Sequence, residues 1–354
     1  RSGFDIPIIG VTGSVGKTST KEMIESVLRA HYKRPLVSKG NNNSMFSITR
    51  NIQKLRRPTN VYLQEVGAFA PRTIEISAKQ LEADMVVYTN IGISHVESYG
   101  SREELAKDKL SLSTYGKPDG LAFVNYDDEI LMAHPFTQKV ITYSLKNDGA
   151  MYFAKNIERT AEAGLRFTIV DRPAGEEHEA EVFVPGEHNV LNAVVAYAVG
   201  KALKLKAGEI IDAYRPSGMR QNIIHPCGYN IFADCYNSSL LAIENTLSAM
   251  DDVPVADGGR RIAVLGDILE LGDISEETHR EIAAVLAKHK VDLLLGYGIN
   301  IRFTVEEASR LGIEAKFFDN RRDLEAEILR IRKPEDLILF KASHAVNLGA
   351  CIDR

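Results

Sequence analysis

The hydrophobic pattern of this chain changes period repeatedly. Short apolar runs bounded by glycine or polar residues mark buried strands. Between them, apolar positions recur at three- and four-residue spacing, as on one face of a helix. The first run covers residues 6–10 and leads into a helical pattern over 17–31. Runs at 60–66 and 84–89 predict two more strands, with a helix over 73–81 between them and another over 101–115. From about 121 to 184 the runs shorten to 140–143, 165–170 and 180–184, separated by polar, glycine-containing turns. That stretch predicts a small β-rich insert closing the first domain, before a helix over 188–203.

The segment Arg215-Pro-Ser-Gly-Met219 breaks the pattern and reads as a linker. Alternation then resumes, with strands at 229–234, 261–265, 291–295, 315–318 and 337–341 and helices at 238–250, 275–289, 300–311 and 321–332. Strand–helix alternation implies parallel sheets covered by helices. The expected fold class is α/β in two domains. Residues 1–217 form a phosphate-loop central domain with a parallel sheet and the β-rich insert. Residues 218–354 form a Rossmann-like α/β domain.

Composition narrows the class of partner more than the fold. A chain of 354 residues suits two domains, and 44 % apolar with 26 % charged residues is ordinary for a globular protein. No apolar run reaches the ~18 residues of a membrane span. A net charge of −5 and a pI near 6.0 argue against nucleic acid as a partner. Cys227, Cys235 and Cys351 lack metal-ligand spacing, so a reducing, cytoplasmic setting with buried or inert thiols is expected.

The most specific motif is Gly10-Val-Thr-Gly13-Ser14-Val-Gly16-Lys17-Thr18-Ser19, between the first strand and the first helix. A phosphate-cradling loop needs this context. Glycines let backbone amides approach phosphate oxygens, and the helix start adds partial positive charge. Lys17 adds a point charge and Thr18 a hydroxyl for magnesium. The longer form of the motif has glycine at position 11, where this chain has Val11, so the match is to G-x-x-G-K-T.

The other candidates are weaker one by one. Glu65-Val-Gly67 ends an apolar strand, where a carboxylate suits a hard cation but equally a solvated loop. Thr89-Asn-Ile-Gly-Ile-Ser-His95 also follows a strand, and a lone histidine there is as readily structural. In the helix over 101–115, Ser101 and Glu104 form a capping box. Leu105, Lys109 and Leu112 share one face, whereas Lys107 points away. A lysine on an apolar stripe snorkels, pairs or loses its charge. Gly186-Glu-His-Asn-Val-Leu-Asn192 suits either a base edge or a capped, core-facing helix. Asp234-Cys-Tyr-Asn237 and Leu265-Gly-Asp-Ile-Leu-Glu-Leu-Gly272 place polar groups at strand ends, where α/β domains bind ligands.

Taken in order, these pieces resemble the Mur ligase family over essentially the whole chain, and within it the MurF type. The resemblance implies ATP and two magnesium ions. Lys17 and Thr18 would hold phosphates and the first ion, with Glu65. His95 and a carbamylated Lys109 would hold the second. Asn42 and Asn43 resemble an asparagine-rich loop near the nucleotide, and Asn192 an adenine contact. Asp234 resembles an acid that binds the ribose. Arg220 resembles an arginine reaching the γ-phosphate, although the family has Gly-Arg where this chain has Gly218-Met-Arg220. Lys341 resembles the lysine of a late Lys-Gly-Ser-Arg stretch, here Lys341-Ala-Ser-His344.

The implied reaction joins a UDP-muramoyl peptide to D-alanyl-D-alanine through an acyl phosphate, in a monomer. Because the chain starts about five residues before its first buried strand, the domain that grips the uridine nucleotide is expected to be absent. Asn237-Ser-Ser-Leu-Leu and His344 depart from the family's Asn-Ala-Asn-Pro and late arginine, close to where an incoming amine would sit. A ligase of the same chemistry with other substrates, such as a folylpolyglutamate-synthase-like enzyme, and a nucleotide-binding scaffold without activity remain open alternatives.

Overall fold

The computed structural model describes residues 5–40, 42–92, 96–160, 164–206, 222–235 and 237–352. It forms two compact units, one of residues 1–183 with 187–214 and one of 184–186 with 215–354. The expected linker at 215–219 and the boundary at 217/218 lie outside the described residues.

The first unit is one nine-stranded sheet, in the order β2-β3-β1-β4-β5-β6-β7-β8-β9. Its strands are β1 Ile8–Thr12, β2 Pro35–Val37, β3 Val61–Glu65, β4 Met85–Tyr88, β5 Leu121–Asn125, β6 Lys139–Ser144, β7 Tyr152–Arg159, β8 Leu165–Asp171 and β9 Glu176–Val182. Every residue of β1 and β3 is buried, so neither alternates, as expected of parallel strands covered on both faces. Pairing is parallel from β2 through β7 and antiparallel for β7–β8 and β8–β9. Of the expected β-rich insert over 121–184, β5 and β6 continue the parallel sheet, and β7–β9 extend it through antiparallel pairs.

Among the described residues, seven helices accompany this sheet: α1 Lys17–His31, α2 Met45–Gln53, α3 Thr73–Leu81, α4 Val96–Tyr99, α5 Arg102–Thr114, α6 Glu129–Ala133 and α7 Glu187–Ala202. Side chains of α3 and α5 join Ile8, Tyr62, Val86 and Tyr88 in one apolar layer. Helix α7 packs against α1 and across β6–β9. It is buried without interruption from Ala193 to Gly200, so it is apolar all round rather than striped. Ser101 caps α5 by accepting from the Glu104 amide at 3.2 Å, as its sequence predicts.

The second unit holds a six-stranded sheet, in the order β10-β11-β15-β12-β13-β14. These strands are β10 Asn222–Ile224, β11 Asn230–Ala233, β12 Arg261–Gly266, β13 Leu293–Tyr297, β14 Glu314–Phe318 and β15 Leu337–Lys341. Only the β10–β11 pair is antiparallel. Its helices are α8 Leu240–Asp251, α9 Ser275–Lys288, α10 Ile301–Arg310 and α11 Arg321–Ile331. Cys235 and Cys351 are buried, and Cys227 is exposed on a short turn at Pro226–Gly228. Among the described residues no helix is long and apolar enough to cross a membrane.

Candidate active site

The loop 13–16 joins β1 to α1, and the two glycines that bound it have backbone shapes other residues rarely adopt. Gly13 has φ 150° and Gly16 φ 86°. A Cβ on Gly13 would also collide with Thr89 Oγ1. That crowding reflects a clamp from the segment after β4. Thr89 Oγ1 and Asn90 Nδ2 donate to the Val15 carbonyl at 2.6 and 3.0 Å. The Val15 amide donates to Asn90 Oδ1, the Ser14 amide to the Asn90 carbonyl, and the Ser14 hydroxyl exchanges bonds with Gly92. Residues 89–92 therefore hold the loop in shape. Helix α1 has no capping side chain and no acid in its first turn, which leaves its N-terminal amides suited to an anion.

Two lysines converge on this loop. Lys17 Nζ donates to the carbonyls of Gly13 and Ser14 at 2.9 and 3.0 Å. Lys109 Nζ donates to the same Gly13 carbonyl at 3.0 Å. Lys109 is 1 % exposed, between buried Leu105 and Leu112, while Lys107 is 79 % exposed, as the helical spacing predicts. Burial, reinforced by Lys17, pushes the Lys109 ammonium well below its ordinary range, and Asp108 opposes this more weakly. Asp108 has a task of its own. It accepts the Ile74 and Glu75 amides at the start of α3 and the Tyr99 hydroxyl, pinning α5 so that the next residue faces the loop.

Glu65 ends β3 beside the same helix start. Its Oε2 accepts the Thr18 hydroxyl at 2.8 Å and its Oε1 the Asn43 amide at 2.9 Å. Lys21 Nζ lies 3.9 Å from Oε2 and donates to the Gly40 carbonyl. A hydroxyl and a carboxylate side by side are the hard oxygen donors magnesium accepts, and magnesium commonly takes only one or two protein ligands. The Thr18–Glu65 pair fits that ion. Among the described residues no group of three or more His, Cys, Asp or Glu side chains forms a denser metal site. His95, expected to hold a second ion, lies outside the described residues, as does Arg220.

Asn192 stands on the other side of the loop. Its Oδ1 accepts the Thr20 hydroxyl at 2.8 Å and its Nδ2 donates to Asn189 at 3.3 Å, so it staples α7 to α1. Ser19 sits half-buried in the first turn of α1. In the second unit, Asp234 and Lys341 are brought together: Lys341 Nζ donates to Asp234 Oδ2 at 2.6 Å and to the Asn237 carbonyl at 3.0 Å. Thr246 Oγ1 donates to the same Asp234 oxygen at 2.6 Å.

Several contributing residues escape a reading of sequence. Thr89 and Asn90 were visible only as neighbours of His95. Lys21, in the Lys21-Glu-Met23 stretch that follows the loop motif, is buried beside Glu65, a pairing that the sequence does not show. Gln64 is a polar residue in an otherwise apolar strand. It donates to the Asn42 carbonyl and so holds the loop that carries Asn43.

A phosphate loop on a parallel sheet, followed by a second parallel α/β unit, defines a two-part nucleotide-binding chain. Residues 11–200 match the Mur ligase middle domain and residues 219–344 the Mur ligase glutamate ligase domain, so the chain belongs to the Mur ligase family. It is 32 % identical over 350 residues to the UDP-N-acetylmuramoyl-tripeptide--D-alanyl-D-alanine ligase of Bacillus subtilis, covering 96 % of this chain and 74 % of that protein. In fold it resembles MurF from Acinetobacter baumannii, with a TM-score of 0.88 at 24 % identity over 98 % of this chain and 76 % of that one. MurF from Thermotoga maritima, solved in complex with ADP, gives a TM-score of 0.86 at 22 % identity over 99 % of this chain and 80 % of that one.

Proposed function

We propose that this chain is an ATP-dependent amide-forming ligase of MurF type, joining the carboxylate of a UDP-muramoyl peptide to D-alanyl-D-alanine in peptidoglycan precursor synthesis, as a cytoplasmic monomer. The observation that carries this reading is the convergence of Lys17 and Lys109 on the Gly13 carbonyl, beside the Thr18–Glu65 pair. The substrate carboxylate attacks the γ-phosphate, ADP departs, and the acyl phosphate is then attacked by the amine with release of phosphate. Loop amides 13–16 and the start of α1 receive the phosphates, and Lys17 balances charge on them as it develops. Magnesium, when bound, neutralises phosphate charge; Thr18 and Glu65 would hold it.

Lys109 carries the chemistry least expected of a lysine. A buried amine whose charged form is disfavoured can, once deprotonated, add carbon dioxide to its lone pair and release a proton, which makes a carbamate. That would replace an amine whose charge burial disfavours with a carboxylate-like group, which together with His95 would hold a second ion. Asn192 retains one N–H and one lone pair for a purine edge. Asp234 and Lys341 would act as a pair from the second unit, the former toward a ribose hydroxyl, and Arg220 toward the γ-phosphate. The deciding experiment measures ADP formation with UDP-muramoyl tripeptide and D-alanyl-D-alanine, together and singly. ADP release that needs both supports the reading. Release with another amine in place of the dipeptide transfers the enzyme to a different pathway, and release that needs neither overturns it.

A further inference from the structure

The segment after β12, residues 267–271, is held at three successive backbone positions by groups from elsewhere in the second unit. The Asp267 carbonyl accepts the Ser343 amide at 3.3 Å. The Ile268 amide donates to His279 Nε2 at 3.1 Å. The Leu269 amide donates to the Ser343 hydroxyl at 3.1 Å. His279 lies in the second turn of α9 and is 0 % exposed.

The other ring nitrogen decides what His279 can do. Nδ1 lies 2.7 Å from the Ser275 carbonyl, which can only accept. Nδ1 therefore carries the proton, and Nε2 presents the lone pair that Ile268 needs. Burial pushes this imidazole below its ordinary pKa, against weaker upward pulls from the Ser275 carbonyl and the Asp267 carboxylate. The His279 carbonyl also accepts Thr304 Oγ1 of α10 at 2.6 Å. Asp267 in turn accepts the amides of Ile299, Asn300 and Ile301 at the start of α10. His279 thus joins the three pieces that meet at this rim: the segment, α9 and α10.

The rim has an unusual surface. Leu269 and Ile299 are 40 % and 70 % exposed, and Glu270 is held at φ 64°, a shape that a non-glycine residue adopts only under constraint. A buried Ile268 amide without its acceptor would have to rotate to find another, carrying Leu269 and Glu270 with it.

We propose that His279 is a positioning residue for the amine half of the reaction: it never touches substrate, but sets the backbone of 268–270 and so the shape of the rim that an amine substrate meets. This rests on the ligase reading above.

The test compares the full chain with His279→Leu, which fills the space without an acceptor, and His279→Gln, which restores an acceptor oxygen. Steady-state ADP formation gives the KM values for D-alanyl-D-alanine and ATP, and amide hydrogen exchange reads residues 268 and 269. His279→Leu should raise the amine KM about tenfold, leave the ATP KM unchanged and speed exchange at 268 and 269, the scale expected for one orphaned buried amide. His279→Gln should return both readouts to within about threefold of the parent. Equal defects in both variants, or equal rises in both KM values, overturn the proposal. If His279→Leu does not fold, Ser343→Ala, which removes the acceptor for the Leu269 amide, must show the same amine-selective rise; an unchanged amine KM there overturns it too. A parent chain with no amine-dependent ADP formation defeats the ligase reading, and the exchange data then still decide whether His279 sets the segment.

Discussion

Buried Lys109 of the first unit and buried Lys341 of the second face opposite circumstances. Lys109 and Lys17 send their described hydrogen bonds to backbone carbonyls of the phosphate loop. Lys341 sends its strongest to a carboxylate, Asp234, itself bonded by Thr246. A carbonyl dipole stabilises an ammonium far less than a full negative charge does, so Lys109 is left open to chemical conversion. In the second unit the charge is largely balanced within the protein. One edge is built to receive charge, the other to hold a shape.

That contrast can be broken from either side. The largest effect is expected for Lys341→Met. It strands Asp234 without its cation, and losing one partner of a buried pair costs about 3–5 kcal/mol. Chemical denaturation should show the second unit destabilised by that amount; a loss below about 1 kcal/mol would mean that the pair contributes no more than a surface bridge. Next comes Lys109→Ala. Turnover should fall by about 10²–10³, the range for removing one preorganised electrostatic group, with partial recovery in formate or acetate. A turnover unaffected by the mutation removes Lys109 from the site.

Lys17→Ala should weaken ATP binding at least tenfold, about 1.4 kcal/mol by calorimetry. An unchanged affinity means that the loop holds phosphate by amides alone. The smallest effect concerns pH. His279 is held below its ordinary value of 6.5, so the unfolded chain binds this proton more readily than the folded one. Its contribution is complete above that value and is lost as pH falls toward the folded pKa, with a slope of at most about 1.4 kcal/mol per pH unit. Thermal melts of the parent and His279→Gln between pH 7 and 5 should converge as the pH drops. Parallel curves would show that folding leaves the His279 pKa unchanged.

Much of this contrast was already written in the residue pattern. The glycine spacing of loop 13–16, the strand before it and the helix after it specify a phosphate site, because the glycines permit that backbone shape locally, although residues 89–92 then clamp it. Lys109 was legible as a buried charge because helical spacing places it between Leu105 and Leu112. The second unit's alternation was equally clear, with Ser239, rather than Ser238, capping α8. β2 and α2 were missed, as were α4, β5, α6, β7 and β10. β2 is three residues long, and α2 mixes Ser, Thr, Arg and Asn so evenly that no stripe stands out. The β-rich stretch was recognised as strands, but its place in the main sheet was not, since pairing partners at an edge leave no local mark.

By itself, then, the sequence determined the α/β alternation, the phosphate loop and the burial of Lys109, all consequences of spacing within a few turns or one strand. Only the tertiary structure decided which groups distant in the chain share an atom. Lys17 and Lys109, 92 positions apart, meet at the Gly13 carbonyl; Thr18 meets Glu65; Asp234 meets Lys341 across 107 positions. Such pairs form because parallel strands deliver their C-terminal ends to one edge of a sheet, whatever their separation along the chain.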